Sequence, residues 1–94
     1  EPLNPQFVVA LDERQFALYC RVTNTKHRRV YPPGLWMRGR RPEMDGPIYV
    51  LPDGFRNWYG PERMELLQRW RLYGGEVVYV AEDTLYSKSR PAQP

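Results

Sequence analysis

"QFVVALDERQFALYCRVTN", residues 6–24, is the stretch whose reading decides the fold. Phe7, Val9 and Leu11 alternate with their neighbours in its first half, and Phe16, Leu18, Cys20 and Val22 alternate in its second. A period of two puts one set of side chains on one face of a strand. Asp12 to Gln15 lie between the halves as polar turn material. The stretch therefore reads as a β-hairpin, with Cys20 on its apolar face as a small buried hydrophobe.

Outward from it the chain offers more turns than helices. After the polar connection "TNTKHRR", the runs "RVY" and "LWM" flank Pro32-Pro33-Gly34. Pro33 and Gly34 suit the second and third places of a type II turn, so this segment is expected to form a short tip with Tyr31 and Trp36 on either side. "RGRRPEMDGP" lacks periodicity and ends in an Asp45-Gly46 turn signal, which makes it a loop. Ile48 to Leu51 and Phe55 to Tyr59 read as a further hairpin around Pro52-Asp53-Gly54.

The helix signal is confined to "GPERMELLQRWRLYGG". Pro61 fits a first helical position and Glu62 the positive end of the dipole, while Glu65 and Arg69 are spaced to pair at i, i+4. Met64, Leu66, Leu67, Trp70 and Tyr73 form an arc that can face a sheet, and Gly74 supplies a left-handed stop. Leu72 falls on the polar side. "EVVYVAED" then reads as an interior strand, so strand, helix and strand are arranged for a right-handed crossover. The expected fold is α+β: a small, curled, mostly antiparallel sheet of about five or six short strands with one covering helix at about 61–73.

A chain of 94 residues is one domain, with an ordered core expected over about 6–86 and flexible ends at 1–5 and 87–94. The single cysteine cannot form an internal disulfide, which favours a reducing compartment, the cytoplasm. No apolar run approaches the roughly 20 residues that span a bilayer, and "EPLNPQ" lacks the pattern of a signal peptide. A membrane partner is not expected.

The net charge is +3, unevenly spread. From Arg14 to Pro42 there are eight basic residues and no acidic ones, whereas the other segments hold six basic and eleven acidic residues. Twelve of the fourteen basic residues are arginines, whose planar forks suit phosphate and stack on rings.

Catalytic constellations are scarce. Cys20 and His27 are the only thiol and imidazole, seven residues apart, and a structural zinc site needs four such ligands. Glu43 with Asp45, and Glu82 with Asp83, read as solvated turn acids. Pro52-Asp53 resembles the start of a metal-dependent nuclease pattern, but Glu76 is followed by two valines where that pattern needs an acid-x-Lys. No Gly-rich phosphate loop and no helix-turn-helix pattern occurs. No catalytic residue, metal or cofactor is expected.

The basic, ring-bearing segment 26–41 remains. Lys26, Arg28 and Arg29 enter the Pro-Pro-Gly tip, and Arg38, Arg40 and Arg41 leave it. If the two arms pair, the cations share one ridge, with Tyr31 and Trp36 offering stacking faces to unpaired bases. The expectation is a non-enzymatic module that binds single-stranded or structured nucleic acid through these eight residues. The alternative is a protein-interaction module, such as a small inhibitor or regulator of a partner enzyme, because Arg, Trp and Tyr are also enriched in binding hot spots.

Overall fold

Residues 6–24 form a strand and a helix, and local capping chemistry explains why. The computed structural model describes residues 4–38, 46–72 and 75–86. In it β1 covers Phe7–Val9 and α1 covers Glu13–Thr23. Asp12 is extended, and its side chain accepts the Gln15 amide at 2.9 Å. Gln15 Oε1 in turn accepts the Leu11 N–H at 2.7 Å. An acid and an amide three residues apart thus satisfy donors on both sides of the helix start, a variant of the capping box. Glu13 in the first turn and Arg21 in the last match the dipole, and Asn24 at φ 54° closes the helix. Cys20 is a half-buried helical residue, not a strand residue.

The remaining elements are β2 (Arg28–Arg29), β3 (Ile48–Val50), α2 (Gly60–Leu72), β4 (Val77–Tyr79) and α3 (Glu82–Tyr86). Every strand pair is parallel and the sheet order is β2-β1-β3-β4. The expected α+β fold with an antiparallel sheet and one helix is therefore replaced by a four-stranded, all-parallel α/β fold. Its strand order follows the doubly wound flavodoxin type. The hairpin expected around Pro52-Asp53-Gly54 also does not form, and among the described residues the arms of the Pro-Pro-Gly tip do not pair as strands. Pro33–Leu35 is a 3-10 turn, with the Leu35 N–H bonded to the Pro32 carbonyl. Pro52 to Trp58 is a succession of tight turns, with bonds from Gly54 N–H to Leu51, Arg56 N–H to Asp53 and Trp58 N–H to Phe55.

Helix α2 forms where the sequence places it, with Glu65 and Arg69 paired at 3.2 Å. It links two adjacent parallel strands, β3 and β4, so the strand–helix–strand crossover holds. Strand β4 lies at the sheet edge, however, not in its interior. Among the expected features, Gly39 to Asp45, Tyr73, Gly74 and both chain ends at 1–3 and 87–94 lie outside the described residues.

Alternation along the strands divides the core in two. Val9, Val30, Ile48 and Val50, with Phe7 at the rim, pack against Leu66 and Trp70 of α2. Val8, Ala10 and Leu51 pack against Tyr19 of α1 and Leu85 of α3. The sheet is thus covered on both faces, as all-parallel sheets are. Trp70 is fully buried, meets Phe7 edge-on at 5.3 Å and donates its indole N–H to the Gly46 carbonyl at 2.8 Å. Met64, expected to face the sheet, is 58% exposed.

His27 ties β1, α1 and β2 together. Its Nδ1 accepts the Gln6 N–H at 3.1 Å, which leaves the proton on Nε2 for Thr23 Oγ1 at 2.7 Å. The Thr23 hydroxyl passes a bond to the Tyr19 carbonyl at 2.8 Å, and the Tyr19 ring stacks on the imidazole at 4.8 Å. Burial holds the His27 pKa below its ordinary value, and burial raises that of Tyr19. A proton on Nδ1 would face an amide donor.

Two outcomes follow for stability. Because His27 binds its proton less readily folded than unfolded, its contribution is complete above the ordinary value of about 6.5 and is lost as pH falls through the folded value. The urea midpoint should therefore decline below about pH 6.5, with a shallower decline in His27→Gln; equal slopes would contradict the network. Trp70→Ala should cost about 3–5 kcal/mol in urea unfolding, a large part of a total of roughly 5–15 kcal/mol. Met64→Ala should stay within about 0.5 kcal/mol of the parent.

Candidate functional site at the carboxyl edge of the sheet

The register of β2 separates the residues expected to form one basic ridge. Arg28 lies opposite Phe7 and Arg29 opposite Val8, so the two arginines take opposite faces of the sheet. On the α2 side the Arg28 guanidinium sits 5.7 Å from the Phe7 ring centre. On the α1 side Arg29 pairs with Glu13 at 2.6 Å and lies 5.0 Å from the Tyr31 ring, whose hydroxyl also reaches Glu13 at 3.3 Å. Trp36 turns the other way. It packs on the α2 core cluster, donates to the Tyr31 carbonyl at 2.8 Å and lies 5.8 Å from the Arg69 guanidinium.

The Pro-Pro-Gly tip is docked, not free. Glu62 of α2 accepts the Gly34 N–H at 2.9 Å with one oxygen and the Tyr59 N–H at 3.0 Å with the other. Tyr31 stays 44% exposed, and Lys26 and Arg38 are exposed. Arg40 and Arg41 lie outside the described residues, as do Glu43 and Asp45. Of the expected set, the structure joins Arg29 and Tyr31 to the chain's own carboxylate and sends Trp36 to the opposite face.

The remaining reactive candidates are also occupied or dispersed. Both nitrogens of His27 are engaged by Gln6 and Thr23, so it is not placed to activate Cys20. Glu82 and Asp83 occupy the exposed first turn of α3. Among the described residues no group of three His, Cys, Asp or Glu is arranged to hold a metal ion. Among them too, no helix is long and apolar enough to cross a membrane.

In open α/β sheets ligands bind beyond the carboxyl ends of the strands, where neighbouring connections leave in opposite directions. Here that point lies between β1, which leads through α1 to β2, and β3, which leads through α2 to β4. The chain fills it with its own 51–57 turn. The Leu51 N–H bonds to the Val9 carbonyl at 2.9 Å, Gln15 Nε2 to the Pro52 carbonyl at 2.7 Å, and Asn57 Nδ2 to the Leu11 carbonyl at 3.3 Å. Gly54 lies so close that a Cβ would come within 2.7 Å of the Val9 carbonyl oxygen and 2.9 Å of that of Leu51.

The open space is displaced by one strand. A cleft of about 460 Å³ lies past the carboxyl ends of β3 and β4, bounded by the 51–56 turn and the first turns of α2. Its volume falls within the roughly 300–1,000 Å³ common for small-molecule sites. Arg56 and Arg63 line it with Phe55, Tyr79 and Asp53. Arg63 lies over the Phe55 ring at 4.8 Å, which also meets Trp58 edge-on at 5.1 Å. Among the described residues neither arginine has a carboxylate partner. Asp53, at φ 59°, is exposed on the turn.

Sequence reasoning missed this cleft because Arg56 and Arg63 fell on an expected strand and on the polar side of a helix. The available signal was "PDGFR", a turn ending in an aromatic residue and an arginine, after a short apolar strand. Comparison of the chain with protein-family models, with curated proteins and with solved structures gives no match.

Proposed function

We propose that the domain is a non-enzymatic binding module for a phosphate-bearing ligand, seated in the cleft beyond β3 and β4. The carrying observation is that Arg56 and Arg63 line one concave site, and that among the described residues neither is ion-paired to a carboxylate, Asp53 on the same wall included. Guanidinium forks suit phosphate oxygens, and the ring beneath Arg63 holds its plane in place. The polyanion chemistry expected of segment 26–41 is retained, and its centre moves to residues 53–63 and 79. Lys26, Arg28 and Arg38 then serve as an outlying positive field that favours anionic ligands. The single thiol fits a cytoplasmic setting.

A protein partner is the second reading, favoured by Leu35 in the 3-10 turn and Met37 two residues on, 68% and 69% exposed, and by Leu72 at 82%. A partner gripping these side chains would bind with little dependence on salt.

Titration of the chain with pyrophosphate at low salt, followed through backbone amide shifts, separates the sites. The largest shifts should fall on Gly54 to Arg56 and on Arg63, and affinity should drop at least tenfold in Arg56→Ala/Arg63→Ala while falling with added salt. The Lys26→Ala/Arg28→Ala/Arg38→Ala variant should bind within about threefold of the parent, as expected for charges outside the site. The reverse pattern, or no binding at low salt, would contradict the assignment.

A further inference from the structure

We infer that the ligand of this cleft is a nucleotide unit, its phosphate on Arg56 and Arg63 and its base against Tyr79. This rests on the phosphate-binding reading above and goes further by naming what is attached to the phosphate.

The two rings of the cleft are used differently. Phe55 is already engaged, with Arg63 over its ring and Trp58 against it. Tyr79 is different. It is the last residue of β4 and lies opposite Val50, so it stands on the α2 side of the sheet at the edge strand. It lines the cleft, remains 62% exposed, and has no hydrogen bond or ring contact among the described residues. A large ring left open in a cleft with two guanidinium groups that make no ion pair among the described residues matches a ligand that is flat and apolar at one end and anionic at the other. Base–aromatic stacking needs no particular base, because every base offers a π-face.

Asp53 adds the third feature. It is a carboxylate on the cleft wall, not ion-paired to either arginine. A site meant for bare phosphate gains nothing from a negative charge, whereas an acceptor beside the arginines suits a sugar hydroxyl or an exocyclic amine. Two donor forks, one acceptor and one open ring are the complement of phosphate, sugar and base. The cleft volume is that of a site for a single small molecule, so one nucleotide unit fills it, either free or as part of a strand.

The test uses the full 94-residue chain and four probes: inorganic phosphate, ribose 5-phosphate, adenosine 5′-monophosphate and a short oligoadenylate. Adenosine monophosphate should bind about tenfold or more tightly than ribose 5-phosphate, the gain expected from one stacked base. Tyr79→Ala should erase that gain and leave ribose 5-phosphate binding unchanged, and Tyr79→Phe should keep it. Equal affinity for the two monophosphates, both still dependent on Arg56 and Arg63, would overturn the nucleotide inference while the phosphate reading stands. Failure of all four probes would remove both. Oligoadenylate binding much tighter than the monophosphate identifies a strand as the source of the unit; equal affinities identify a free nucleotide.

Discussion

Strand β1 must be buried on both faces, and the rest of the architecture depends on this. Val8 and Val9 have no exposed surface, and they face opposite sides of the sheet. At roughly 25 cal/mol per Å² of apolar surface removed from water, three consecutive residues can draw a helix to each side. A strand in that position needs hydrogen-bonded neighbours at both edges, supplied by β2 and β3. Parallel neighbours require long connections, and α1 and α2 supply two of them while covering opposite faces. His27 then fastens the start of β1 to the end of α1 and the entry to β2.

The same constraint places the functional surface. Once β1 and β3 lie side by side with connections leaving in opposite directions, a crevice belongs at their carboxyl ends. Gly54 fits against the β1 carbonyl, and Gln15 and Asn57 secure the turn there, so the crevice is filled from within. What remains open is the flank toward β4, where that turn carries Phe55 and Arg56 past the first turns of α2. Packing of the turn and placement of the arginines are thus one event. The other basic side chains are distributed by strand alternation instead, and Arg29 is neutralised by Glu13.

Much of α2 was legible from its residues: the helix-compatible proline, the Glu65–Arg69 pair, the buried Leu66 and Trp70, and the crossover to a following strand. The first element was misread for a physical reason. Phe16, Leu18, Cys20 and Val22 alternate, but Gln15 and Tyr19 are four apart and carry the buried helical face. Asp12 and Gln15 hold the capping signal that favours helix. "FVVAL" is a continuous apolar run, the mark of a strand buried on both faces, a mark that the sequence reading assigned to the residues of β4. The basic segment was visible as composition; that its arginines would divide between two faces depends on the β1–β2 register, which only long-range pairing sets.

The central claim is the parallel placement of β1 between β2 and β3, and inter-strand nuclear Overhauser contacts in the labelled protein test it most directly. The account predicts contacts from Phe7–Val9 both to Arg28–Val30 and to Ile48–Val50 in parallel register, with sequential amide–amide contacts throughout Glu13–Thr23. Cross-strand contacts between residues 7–11 and 16–22, in the pattern of an antiparallel hairpin, would contradict it.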